Sequence, residues 1–368
     1  MIMNEKLYGL YVHIPFCRKK CNYCDFYSVG YDEEIADQFL VALEEEILQF
    51  YKKYKLYNNI STLYIGGGTP SVLVPKQLAY LFHILNKHFD FSYLKEVTIE
   101  TNPESVDEEK ICIIKSFFND KNLRLSLGVQ SFNDNILEIL GRCHKSKDVY
   151  KAIEVFNKLK IKNYNLDLIF GCPTQQIKDV RYDIRQAISC SPTHISCYAL
   201  TIEEGTPFFQ KGVRIDPDLQ AQMYELIVEL LQENMYYRYE ISNFSKNGYE
   251  CLHNLNYWRY KEYLGFGPSS VAFFDKCRIK NVSSIEEYVN KRFCYNEELI
   301  DEETTLKEQI MLALRTEEGL QLTNKISQKY GQQIKELVNT KKLVKENNRI
   351  KISSSYKFLS NQIIVEFM

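Results

Sequence analysis

The run Leu7-Tyr8-Gly9-Leu10-Tyr11-Val12-His13-Ile14, passing directly into Pro15-Phe16-Cys17-Arg18-Lys19-Lys20-Cys21-Asn22-Tyr23-Cys24, decides how the rest of the chain reads. Its first half is an apolar, strand-like segment. Its second half is a polar loop carrying three cysteines. Further strand-like runs follow at 62–65, 96–99, 123–129, 164–169 and 194–200. Between them lie segments with a helical apolar period at 35–51, 75–88, 106–119, 134–140, 146–159 and 177–189. In the first of these, Phe39, Leu40, Leu43, Ile47 and Phe50 share one face. Strand and helix alternating at this spacing predict parallel βα units. Six such units predict an α/β protein built as a partial (β/α)6, TIM-like barrel; a doubly wound sheet is the alternative that periodicity leaves open.

After residue 200 the texture changes. Residues 217–234 predict one helix capped by Asp216, with proline in its first turn. Residues 237–241 predict an added strand, and 242–275, rich in aromatics and glycine, predict loop. From about 300 the pattern predicts helices at 303–314, 322–330 and 332–340, then a hairpin of 343–346 with 349–352 around Asn347-Asn348. The expected organisation is therefore a barrel over 1–240, a connecting region over 241–299 and a small helical, winged-helix-like domain over 300–368.

Lysine and arginine number 46 and aspartate and glutamate 48, a net charge of −2 that argues against a general nucleic-acid binder. Met1 to Leu10 carries charges and no long apolar run, and no stretch is apolar for long enough to span a bilayer. The expectation is a cytoplasmic protein. Its 11 cysteines, mostly scattered, then predict no disulfide framework.

Cys17, Cys21 and Cys24 are not scattered. Three thiolates in a C-x3-C-x2-C loop can ligate three irons of a [4Fe–4S] cubane and leave the fourth iron open. An open iron can chelate the amino and carboxylate groups of S-adenosylmethionine, whose reductive cleavage yields a 5′-deoxyadenosyl radical. A zinc site with His13 or a distant residue as fourth ligand is the competing assignment, but zinc knots usually use paired C-x2-C units and a second pair is absent.

With Tyr11-Val12-His13-Ile14-Pro15-Phe16-Cys17 leading into that spacing, the chain resembles the radical-SAM superfamily, and within it the oxygen-independent coproporphyrinogen III oxidase family. The resemblance extends through Gly66-Gly67-Gly68-Thr69-Pro70-Ser71, Glu100-Thr101-Asn102-Pro103-Glu104, Leu127-Gly128-Val129-Gln130-Ser131-Phe132, Leu140-Gly141-Arg142 and Asp167-Leu168-Ile169-Phe170-Gly171, over about residues 7 to 275. It implies that Gly67, Gly68 and Thr69 approach the methionine end of the cofactor, and that Glu100, Gln130, Arg142 and Asp167 line its pocket. Arg142 suits a carboxylate, and Glu100 the ribose hydroxyls or the amino group. Tyr23 is placed to stack near adenine and Tyr11 to reach the cofactor from the first strand, with core packing the competing role for both. His144 is a weaker candidate for the same pocket.

Two features separate the chain from the oxidase pattern. Oxidases of the family carry a further cysteine two residues after the third, where this chain has Phe26. They also carry a longer N-terminal region, whereas this chain starts almost at the first strand. Cys251-Leu252-His253-Asn254-Leu255-Asn256-Tyr257-Trp258 instead resembles the H-N-x-x-Y-W segment of the family's haem-chaperone branch. That implies haem as a ligand, with His253 on the iron, Cys251 as a second candidate and Tyr257 and Trp258 as flat faces for the porphyrin. Without the resemblance, the same residues read as loop hydrogen bonding and barrel packing. The expected function is a haem chaperone, using the cluster and S-adenosylmethionine and passing haem to respiratory haem proteins near the membrane surface. An electron donor and a homodimer governed by the cluster belong to that expectation. The alternatives are the oxidase itself, which decarboxylates two propionates, and a radical-SAM methyltransferase that binds no haem.

Overall fold

The computed structural model describes residues 6–293 and 295–368. Residues 1–5, part of the stretch read as lacking an export signal, lie outside the described residues. Strand β1 (Tyr8–Ile14) is followed by two short strands, β2 (Phe16–Cys17) and β3 (Val29–Gly30), which pair with each other and frame the cysteine loop. Then come α1 (Glu33–Tyr54), β4 (Ile60–Gly67), α2 (Pro75–His88), β5 (Glu96–Thr101), α3 (Glu108–Phe117), β6 (Leu123–Gln130), α4 (Asp134–Leu140), α5 (Ser146–Lys158), β7 (Tyr164–Phe170), α6 (Ile177–Ser189) and β8 (His194–Ala199). Strands β1, β4, β5, β6, β7 and β8 are parallel and neighbours in that order. Sequential order is the signature of a barrel wall; a doubly wound sheet reverses direction part-way.

The strands bury both faces with opposed chemistry. Leu63, Ile65, Val97, Ile99, Leu125, Leu166 and Ile195 join the helices' apolar faces in one core. The alternate positions Thr62, Glu96, Thr98, Arg124, Ser126, Asn165, His194 and Ser196 are polar yet buried, which places them on the concave side. Helix α1 shows how local chemistry fixes the boundaries. Asp32 accepts from the Ile35 N–H at its start, Glu33 and Glu34 fill the first turn, and Lys52 and Lys53 the last.

The sheet then grows at both edges. After α7 (Pro207–Gln210) and α8 (Pro217–Glu233), β9 (Tyr237–Arg238) and β10 (Asn243–Ser245) add antiparallel strands beside β8. Helix α9 (Leu252–Trp258) leads to β11 (Tyr263–Phe266), which pairs parallel with β1. Strands β12 (Val271–Phe274), β13 (Cys277–Lys280) and, after the short α10 (Ile285–Val289), β14 (Asn296–Leu299) complete a sheet of twelve among the described residues. The loop expected over 242–275 is thus corrected to three strands, β10, β11 and β12, and the helix α9. These elements of three to seven residues are too short to show a period and exist because the barrel edges pair with them.

The last unit holds α11 (Glu302–Leu314), β15 (Leu320–Gln321), α12 (Asn324–Asn339), β16 (Leu343–Glu346), β17 (Arg349–Ile352) and α13 (Ser360–Ile364). Its three strands order as β15-β17-β16 over a separate core that includes Ile310, Ile334, Ile350 and Phe367. The two helices expected at 322–330 and 332–340 are one. Gly331 costs α12 about 1 kcal/mol, but Ile326, Tyr330, Ile334 and Leu337 bury a continuous face through it. No helix among the described residues is long and apolar enough to cross a membrane.

Candidate cofactor site

The C-terminal ends of the parallel strands open into a cavity of about 460 Å³. A βα barrel gathers its chemistry at this face. The cavity brings together Cys17, Cys21, Cys24 and Tyr23 from the loop after β1, and Gly67, Gly68 and Thr69 from the end of β4. Glu100, Gln130, Arg142 and Asp167 complete the set. The structure does not bring Tyr11 or His253 to this lining.

The cysteine loop is pinned from several sides. The Asn22 N–H donates to Leu140 O at 2.9 Å and its side-chain amide to Ile139 O at 2.8 Å, tying the loop to the end of α4. Beneath it, the Gly68 N–H donates to Ile14 O at 2.8 Å and the Thr69 N–H to Phe16 O at 2.7 Å. The Thr69 hydroxyl lies 3.6 Å from Cys17 Sγ and accepts from the Asn102 amide at 2.8 Å. Arg142 bridges the loop to the strands. Its guanidinium donates to Cys21 Sγ at 3.5 Å, Asn102 Oδ1 at 2.6 Å and Gly128 O at 3.1 Å. His144 stands behind it, buried, with one ring nitrogen on Val129 O at 3.0 Å and the other 3.4 Å from Arg142 Nε.

Burial pushes the Cys17 thiol up and the Cys24 thiol to about 11, so these sulfurs ionise only against a positive partner such as a metal. Among the described residues no three His, Cys, Asp or Glu side chains stand close enough to hold a single metal ion. Cubane thiolates each serve a different iron and stand further apart than ligands of one ion. The thiols, the cationic Arg142 and the adjoining cavity fit such a cluster. His13 does not serve as a zinc ligand here: Tyr11 OH meets its Nδ1 at 3.0 Å and Tyr27 O its Nε2 at 2.9 Å. The Tyr11 hydroxyl is correspondingly engaged by His13 and not by the cavity.

Glu100 accepts from Tyr64 OH at 2.7 Å and from the Gly67 N–H at 3.0 Å. Burial pushes its carboxyl up to about 7 against those donors. Asp167 accepts from Ser126 Oγ at 2.9 Å and Asn165 Nδ2 at 2.8 Å. Gln130 sits at φ 64°, at an irregularity in the β6–β7 pairing. A non-glycine residue in the left-handed region is a mark of a constrained site, and no sequence signal announces it. Asn102 and Tyr64 were missed as site residues. Asn102 lies inside the Glu100-Thr101-Asn102-Pro103-Glu104 motif, and Tyr64 shares the inward face of β4 with Thr62, a placement that the period of two carries.

The H-N-x-x-Y-W segment lies at the other end of the barrel. Glu96, first residue of β5, accepts from the N–H groups of Leu252 and His253 at 2.9 and 3.0 Å and faces Cys251 Sγ at 3.5 Å. It therefore holds the start of α9 at the floor. His253 is 1% exposed, with Nδ1 at 2.9 Å from Thr62 Oγ1 and Nε2 at 2.8 Å from Tyr257 OH. Burial pushes its pKa down to about 3. Both ring nitrogens are occupied, so the imidazole is presented to no ligand from solvent. Cys251 is fully buried beside it.

The model of the Radical SAM superfamily matches residues 11–187. The chain is 34% identical over 384 aligned positions to the Heme chaperone HemW of Lactococcus lactis subsp. lactis (strain IL1403), covering all of this chain and 98% of that protein. It is 33% identical to the Heme chaperone HemW of Bacillus subtilis (strain 168), covering 97% and 98%. Among solved structures, the coproporphyrinogen III oxidase HemN from Escherichia coli, a radical SAM enzyme, superposes with a TM-score of 0.83 over 99% of this chain and 90% of its own, at 19% identity, a likeness of fold. Sequence similarity at this level, running from end to end of both chaperones, places this chain in the heme chaperone HemW family of the radical SAM superfamily.

Proposed function

We propose that this chain is a cytoplasmic haem chaperone: it binds haem and S-adenosylmethionine, carries a [4Fe–4S] cluster on Cys17, Cys21 and Cys24, and delivers haem to haem proteins. The observation that carries this reading is the unbroken likeness to proteins named as haem chaperones over the whole described length, α9 and the C-terminal unit included. The cluster, when bound, supplies one-electron reduction. The chain's own residues do the rest. Gly67, Gly68 and Thr69 offer backbone edges to the methionine end of the cofactor. Arg142, already beside Cys21, suits its carboxylate, Glu100 and Asp167 its amino group and ribose, and Tyr23 and Gln130 the adenine side. Phe26, 63% exposed at the cavity rim, offers an apolar ring where the oxidase pattern has a cysteine.

His253 reaches haem iron in this reading only if α9 leaves the floor and breaks its bonds to Glu96. The test is anaerobic reconstitution followed by haem titration in the Soret band, then mixing with an apo-haem protein. Stoichiometric uptake and transfer are expected. A cluster-loaded protein that takes up no haem, and instead decarboxylates coproporphyrinogen III, overturns the reading in favour of the oxidase.

A further inference from the structure

A continuous column of side chains runs through the barrel from the floor helix to the cavity. At its base, Tyr257 OH contacts His253 Nε2 at 2.8 Å, and Thr62 Oγ1 contacts His253 Nδ1 at 2.9 Å while also accepting from Asn256 Nδ2 at 3.1 Å. Above Thr62 on the same face of β4 stands Tyr64, whose ring lies 5.3 Å from the His253 ring, centroid to centroid. Tyr64 OH donates to one oxygen of Glu100 at 2.7 Å, and the other oxygen takes the Gly67 N–H at 3.0 Å. Two glycines make the column possible. A Cβ on Gly9 would stand 3.3 Å from His253 Cε1 and from Thr62 Oγ1. A Cβ on Gly66 would stand 2.8 Å from both the Glu100 carboxylate and the Tyr64 ring.

We infer that the H-N-x-x-Y-W helix positions the cofactor pocket from beneath, with His253 and Tyr257 fixing the Tyr64 ring and Tyr64 fixing the Glu100 carboxylate against Gly67. This deepens the proposed function, since it rests on reading the cavity as the S-adenosylmethionine site. It gives the segment a role that needs no contact with haem. His253 and Tyr257 are positioning residues: neither lines the cavity, and they act through Tyr64 and Glu100, which do, with Tyr64 OH holding the Glu100 rotamer. A buried carboxylate with one oxygen released from its donor swings or takes up a proton, and either change costs ligand affinity.

The test is S-adenosylmethionine affinity, by equilibrium dialysis of the reconstituted protein across pH 6 to 9, in wild type, Tyr64→Phe and His253→Ala. The groups facing Glu100 are the Tyr64 hydroxyl and Gly67 N–H from β4, Arg124 from β6 and Asp167 from β7. Tyr64→Phe removes a donor to the carboxylate, so the expected result is affinity about ten-fold weaker, for one charge-assisted hydrogen bond, and a binding inflection moved to higher pH. His253→Ala shifts both in the same direction, and the double variant is no worse than Tyr64→Phe, as coupled residues require. Should His253→Ala fail to fold, Tyr257→Phe removes only the hydroxyl on His253 and carries the same expectation. Wild type that binds the cofactor beside variants with unchanged affinity and inflection overturns the inference alone. Wild type that binds none overturns the reading of the cavity and the inference together.

Discussion

Gly68 shows how little freedom the site leaves a single residue. A Cβ there would stand 2.6 Å from Phe16 O and 2.9 Å from Ile14 O, both backbone atoms at the root of the cysteine loop. Backbone cannot swing aside as a side chain can, so Gly68→Ala displaces Phe16 and, through it, Cys17. The expected outcome is a protein with wild-type helix content by circular dichroism and several-fold less iron after reconstitution. Full iron loading would show that the loop absorbs the methyl group. The glycine run was legible as a place of close backbone approach, but its partner was expected to be a ligand alone; the structure adds the chain's own backbone. His253 marks the opposite limit. The family resemblance implies an open aromatic face there, while the residues by themselves read as packing, and only the fold reveals that the packing partners are Thr62, Tyr64 and Glu96, residues some 150 or more positions away in the chain.

The long elements were readable because each carries its own evidence. Helix α1 shows cap, charge gradient and apolar stripe within 22 residues. The one charged residue on its buried side, Glu46, was not readable. It is 0% exposed and accepts from the Gly267 N–H at 2.9 Å, Asn281 Nδ2 at 2.7 Å and the hydroxyl of Tyr288, joining α1 to the turn after β11, to the turn after β13 and to α10. On sequence alone it is one more acid among Glu44, Glu45 and Glu46. Burial pushes its carboxyl from 4.5 up to about 7. The folded state thus holds a proton that the unfolded chain releases. The stability tied to that proton is full below about 4.5 and is lost as pH rises toward 7 and beyond. Glu46→Gln removes this dependence. Between pH 5 and 8 the wild type should lose stability relative to Glu46→Gln, by on the order of 3 kcal/mol at most, in parallel chemical denaturation series. Parallel curves for the two proteins would mean that the surrounding donors keep Glu46 ionised throughout.

At the scale of the whole molecule, two cores meet across an ionic seam. Arg238 of β9 donates to Glu317 at 3.0 Å and to Tyr224 OH at 3.1 Å, and Lys357, itself fully buried, lies 3.4 Å from Glu317 and donates to Thr316 O at 2.8 Å. Arg278 pairs with Glu308 at 2.6 Å, and Arg259 pairs with Glu318. In sequence, Glu308, Glu317 and Glu318 look like solvated surface charges, because the cations that pair them lie far off in the barrel's edge strands and at the end of α9, or, for Lys357, 40 residues beyond Glu317. Glu317 is the acid between two cations, and its side chain is about a third exposed. Replacing it by Gln leaves Arg238 and Lys357 facing each other with no anion between them. Burial of the cations argues for a cost of several kcal/mol, and the exposure of Glu317 reduces it to about 2 kcal/mol. The loss should be local. Amide hydrogen exchange in Glu317→Gln should accelerate across 302–368 while β4, β5 and β6 keep their protection, since the core under α12 is separate from that of the barrel. Acceleration spread evenly over both units would instead show that they open as one cooperative body, with the seam acting as part of a shared core.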